Sequence, residues 1–140
     1  MKKKWTSQKG GPAIEFALVL PVLCILVLGL MECAILMYDK AVITNASREG
    51  ARRGIVYQVP APTIEEVTNT VDDYCSTHLI TFGGSFTPST VVPQPPDSLE
   101  SGDPLTVTVW YSYTFLVFPN FIPGFPNVIP LNATTVMRME

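Results

Sequence analysis

The stretch GGPAIEFALVLPVLCILVLGLMECAILMY, residues 10–38, decides how the rest of the chain can fold. From Phe16 to Met31 it holds no charged residue, and its one helix breaker is Pro21. As a helix rising about 1.5 Å per residue, Phe16 to Tyr38 extends roughly 34 Å, enough to cross a hydrocarbon layer of about 30 Å. The run is apolar on every side, so a water-soluble domain would have to bury it all round. A chain of 140 residues leaves too little material for that. The stretch predicts a single membrane-spanning helix, with Pro21 removing one backbone bond and kinking or loosening the rod near Ala17.

Charge sets the expected orientation. Lys2, Lys3, Lys4 and Lys9 precede the span without any acid among them, which favours a cytoplasmic N-terminus. Lys40, Arg48, Arg52 and Arg53 follow it and are partly offset by Asp39 and Glu49. A net charge of −3 gives no basic excess, so nucleic acid is not an expected partner. Of the three cysteines, Cys24 and Cys33 lie in the apolar run and Cys75 stands alone beyond it. That excludes an internal disulfide framework and leaves Cys75 as a small hydrophobe or a bridge between two copies.

Helical character continues past Tyr38 without a proline until Pro60, so one helix is expected from about residue 12 to 56. The chain then divides into a basic leader (1–10), a membrane half of the helix (11–38), an external half (39–58) and a small external domain (59–140). Ala46, Gly50 and Gly54 recur at four-residue spacing and give a smooth face for close packing, against the chain's own sheet or a partner's backbone. Thr63-Ile-Glu-Glu66 reads as a capping box opening a second, amphipathic helix over about 63–80, with Ile64, Val67, Val71, Tyr74 and Leu79 on its apolar face. A short strand at 80–82 and a turn at Gly83-Gly84 lead into a proline-rich exposed loop from Pro88 to Pro104. From Leu105 to Phe118 the pattern alternates, and Leu105, Val107, Val109, Tyr111, Tyr113, Phe115 and Val117 are expected to face the long helix. Pro119, Pro123, Pro126 and Pro130 break the apolar connection that follows. Leu131 to Glu140 alternates again and is expected to pair antiparallel with the preceding strand.

The start of the apolar run is unlike a secretory signal peptide, whose small-residue cut site follows its apolar core. Here Gly10 and Gly11 precede the core, Pro12 sits near the first helical position, and Glu15 stands just inside beside Phe16. Such an order resembles the signal of prepilins, which are cut on the cytoplasmic side by a prepilin peptidase. More narrowly, Gly11-Pro-Ala-Ile-Glu-Phe-Ala-Leu-Val-Leu-Pro21, then Gly29-Leu-Met-Glu32, then Asn45-Ala-Ser-Arg-Glu-Gly-Ala-Arg52 are similar to the TadE/TadG-like family, pseudopilins or minor pilins of the tight-adherence (Tad) pilus. The resemblance implies an α+β, pilin-like fold in which the long helix packs on a small antiparallel sheet. It also implies cleavage at Gly10 or Gly11, pairing of Glu15 with a free N-terminal amine during assembly, and a role in pilus assembly and surface adhesion. Glu32, the acid of the second block, is either a snorkelling acid or a polar contact to a neighbouring membrane helix. The implied partners are the prepilin peptidase, other pilin-like subunits, the assembly platform and the bacterial cytoplasmic membrane, with the C-terminal domain outside.

Two other readings stand beside this one. In the first, the chain is an uncut, permanently anchored scaffold of the pilus machine. In the second, it is an anchored enzyme, which the residues do not favour. His78 is the single histidine, no glycine-rich phosphate loop is present, and the acids Glu65, Glu66, Asp72 and Asp73 lack the spacing of a metal site. No cofactor is implied.

Overall fold

The computed structural model describes residues 10–81, 88–92, 96–116, 124 and 126–139. One continuous helix, α1 (Gly11–Ile55), runs through Pro21 without a break in assignment. Pro12 occupies its first turn, where a missing N–H costs nothing, and Arg52 and Arg53 complement the negative end of the dipole in its last. The helix ends at Ile55, ahead of the Val59–Pro60 and Pro62 linker, with Val56 already extended.

The second helix, α2 (Ile64–His78), starts where the side chain of Thr63 accepts the N–H of Glu66 at 3.2 Å. Only half of the expected capping box forms, because the Glu66 carboxylate turns to Arg53 Nη2 at 3.0 Å. Val67, Val71 and Cys75 are the buried stripe, whereas Ile64 remains exposed at the first turn. Full burial of Cys75 in the core rules out a bridge between folded copies.

Three strands form an antiparallel sheet in the order β1 (Ser89–Val91), β2 (Pro104–Thr114), β3 (Val128–Arg138). The β2–β3 register pairs Leu105 with Met137 and Tyr113 with Ile129. Leu105, Val107, Val109 and Tyr113 point inward as the alternation requires, and Thr106, Thr108, Trp110, Ser112 and Thr114 line the other face. Two expectations need correction. The Pro88–Pro104 segment holds strand β1 and a short 3-10 turn at Pro96–Ser98 instead of loop throughout, and β3 begins at Val128 and contains Pro130. Proline is tolerated there because the missing N–H falls on the side of β3 away from β2. Of the expected strand at 80–82, Ile80 and Thr81 are in no strand; Phe82, the Gly83-Gly84 turn and most of the apolar connection from Phe118 to Phe125 lie outside the described residues.

The core lies between α1, α2 and the inner sheet face, with Ile43, Ala46, Val71, Val107, Val109 and Leu131 at its centre. Gly11 to Leu28 carries no such cover and is exposed on every side. Below Tyr38 the sheet still reaches the helix, and Gly29 and Glu32 are buried. The architecture is that of a pilin-like α+β protein: an uncovered apolar stalk, and a small sheet domain resting on its upper half.

Candidate functional site

The candidate residues lie along α1. At the N-terminal corner Gly10 and Gly11 are exposed, and a Cβ added to either would meet nothing within 4 Å. Glu15 and Pro21 are exposed on the uncovered part of the helix, among Ile14, Phe16, Leu18 and Val22.

Glu32 is placed differently from a residue waiting for a neighbouring helix. Its carboxylate is 4 % exposed and accepts the backbone N–H of Leu116, just past the end of β2. Two turns up the same helix face, Asp39 is fully buried, and its Oδ1 accepts the N–H of Ile80 just beyond α2 at 3.2 Å. Among the described residues its Oδ2 has no partner, and neither has the buried hydroxyl of Tyr113. Burial pushes the Asp39 carboxyl above its ordinary value, opposed by the Ile80 N–H. Tyr113 is pushed up to about 12, first by burial and then by the negative charges of Glu32 and Asp39. On the flank nearest β3, Lys40 Nζ donates to the carbonyl of Asn132, and the hydroxyls of Ser47 and Thr135 lie 2.7 Å apart.

The small-residue face is occupied by the chain itself. A Cβ on Gly50 would come within 2.5 Å of Val71 Cγ2, and one on Gly54 would collide with Leu105 Cδ2. Ala46 is fully buried in the same seam. Sequence reasoning set Tyr113 on the strand face toward the long helix but missed Asp39 and Lys40 as members of the helix–sheet junction. The one signal available was that Glu32 and Asp39 stand seven residues apart, which places both on one face. Among the described residues no group of three or more His, Cys, Asp or Glu side chains is gathered as a metal would need.

The uncovered corner and stalk are similar to one known family. Residues 10–52 match the TadE-like proteins. The TadE-like segment takes in Gly10, Gly11, Glu15, Pro21, Glu32 and the small-residue positions Ala46 and Gly50. It ends at Arg52, so the sheet and α2 lie outside it. Comparison with curated proteins and with solved structures gives no match. The likeness to TadE-like proteins is confined to this segment, and among the described residues one helix is long and apolar enough to cross a membrane, which fits membrane anchoring.

Proposed function

We infer that this chain is a pseudopilin or minor pilin of a Tad-type pilus, trimmed by a prepilin peptidase at the Gly10–Gly11 corner. The observation that carries the reading is an apolar stalk, exposed on all sides, inside the TadE-like match. From Gly11 to Met31 the stalk rises roughly 30 Å, close to the hydrocarbon thickness of about 30 Å. The basic leader stays in the cytoplasm, the sheet domain stands outside the cytoplasmic membrane, and the junction at Glu32 rests near the outer interface. Glu15 lies about 6 Å along the helix from Gly11, near enough to the inner interface to avoid the full cost of a midplane carboxylate. After trimming it pairs with the new amine of its own or a neighbouring subunit. Passage from lipid into a filament then exchanges lipid contacts for helix packing and polar pairing. Assembled pili carry the adhesive role.

The test is the mature N-terminus. Co-expression with a prepilin peptidase should give a product that starts at Gly11, and Gly10→Ala should impair the cut. Glu15→Ala should leave trimming intact and lower the amount of subunit in sheared pilus material. An unchanged N-terminus, with the protein absent from sheared pili, would instead support the second reading, an uncut scaffold of the pilus machine.

A further inference from the structure

The two edges of the sheet are unlike, and their difference selects a partner. In the β2–β3 ladder, Phe115 N donates to Asn127 O at 3.1 Å and Met139 N to Asp103 O at 2.9 Å. Antiparallel bonding alternates, so the odd-numbered residues of β3 turn their N–H and C=O toward β2 and the even-numbered ones turn theirs away. Among the described residues β3 has no strand on its other side. At its lower end this edge is blunted by Pro130, which has no N–H, and by Lys40 on the Asn132 carbonyl. The upper end, with the outward groups of Thr134, Val136 and Arg138, is open. At the opposite side of the sheet β1 is an edge as well, and by the same parity Thr90 turns its N–H and C=O outward.

Direction limits which edges can meet. Glu32 holds the lower end of β2 and Gly54 lies against Leu105 at its upper end, so β2 descends and β1 and β3 ascend. Copies held in one membrane by α1 all point the same way. Antiparallel pairing of β3 with a second β3 would invert one anchor. The ascending β1 of a second copy meets β3 in parallel without inversion.

Charge agrees. Beside β3 stands Lys40 on the near flank of α1, with exposed Arg138 at the strand end. Arg53, on the opposite flank of α1, bonds Glu66, which places α2 on the β1 side. Glu65, exposed, and Asp72, half-buried, stand seven residues apart and so on one face of α2, off the Glu66 side that meets Arg53. One edge is basic and the other acidic.

We propose that the open upper edge of β3 is an interface for a second copy of this chain, which adds its β1 edge in parallel and sets its acidic α2 flank against the basic one. Such a contact joins unlike surfaces and leaves a free edge at each end, so it propagates rather than closing as a dimer. It rests on the anchored-subunit reading but needs no trimming. The test uses the full uncut chain in lipid vesicles, with Cys24 and Cys33 replaced by Ala and buried Cys75 retained. Differently tagged Ser89→Cys and Thr134→Cys chains, whose side chains share the outer face of the joined sheet, should form a mixed disulfide adduct, and Thr134→Cys alone should form at least tenfold less. Adding Val136→Pro to the Thr134→Cys chain removes only an outward N–H; it should cut the adduct at least tenfold while the melting temperature stays close to that of the parent. Absence of the mixed adduct, predominance of Thr134→Cys self-adducts, or insensitivity to Val136→Pro at an unchanged melting temperature overturns the proposal. Vesicle extraction with alkaline carbonate separates the two readings. A chain that washes off removes the anchored reading and the direction argument with it, whereas an inserted chain without adduct removes only the edge pairing.

Discussion

Asp39 has one oxygen bonded to Ile80 N and, among the described residues, no partner for the other, so its burial makes stability depend on pH. Its folded-state pKa lies above the unfolded value because burial disfavours the charge. The folded chain then holds more protons than the unfolded chain between those two values. Stability is greatest below the unfolded pKa and falls as pH rises through the folded one. Asp39→Asn keeps an acceptor for Ile80 and removes the charge. The variant should melt higher than the parent at pH 7, with the gap narrowing toward pH 4, in thermal scans across that range. Asp72, also raised by burial, is unchanged in both proteins and cancels in the difference. Cys75 gives a second residue-scale expectation. Burial, with Asp72 adding to it, lifts the thiol from 9.0 to about 11. At pH 8 its thiolate fraction is therefore roughly a hundredfold below that of an ordinary cysteine, so it should label with a thiol reagent only after unfolding. The sequence displayed Cys75 as a small hydrophobe and Asp39 only as a charge near the span. What it could not display was that Ile80, 41 positions away, would bring an N–H to that carboxylate.

Elements were legible where a period ran long enough to be read. The helix α1 declared itself by composition and by the absence of breakers, and β2 by eleven alternating residues. Strand β1 is three residues between prolines, too short to show a period, and exists because β2 offers it a hydrogen-bonding edge. Pro130 misled for the opposite reason: a breaker by type, it is harmless at a position whose N–H faces no strand. The Ala46-Gly50-Gly54 spacing announced close packing but not the occupant, which is supplied by the chain's own Val67, Val71 and Leu105. That occupancy makes a sharp expectation for α1. Gly50→Ala gains helix propensity of about 1 kcal/mol. Its new methyl, however, stands 2.5 Å from Val71 Cγ2, with Val67 and Val107 also within 4 Å. Overpacking of this kind costs about 1–3 kcal/mol, so the net effect is a loss. Gly50→Ala should lower the midpoint of denaturant unfolding, and Gly50→Val should lower it further. Replacing exposed Gly11 by Ala, where a Cβ meets nothing, should not lower it.

For the whole molecule the question is where stalk ends and domain begins. Composition alone puts the end of the apolar run at Tyr38, because hydropathy does not distinguish a side chain facing lipid from one facing a sheet. The structure shows cover beginning at Gly29, and the two carboxylates Glu32 and Asp39 hold the lower ends of β2 and α2 by single backbone N–H groups. A domain fastened in this way needs α1 from about residue 30 upward and nothing below. A fragment of residues 30–140 has shed the uncovered stalk and should be water-soluble, with a far-ultraviolet spectrum of mixed helix and strand. A fragment of residues 41–140 loses both carboxylates together with the half-buried Ile35 and Leu36. Each backbone hydrogen bond to a carboxylate that is lost contributes about 1.5–3 kcal/mol. For a domain of this size the combined loss corresponds to a melting temperature lower by on the order of 10 °C or more. Comparing the two fragments by circular dichroism melts tests the boundary directly. Equal melting temperatures would place the domain's lower limit above Asp39 and return residues 30–38 to the membrane. A lower value for 41–140 fixes the junction at Glu32, and with it the length of helix that lipid, or a neighbouring subunit, must cover.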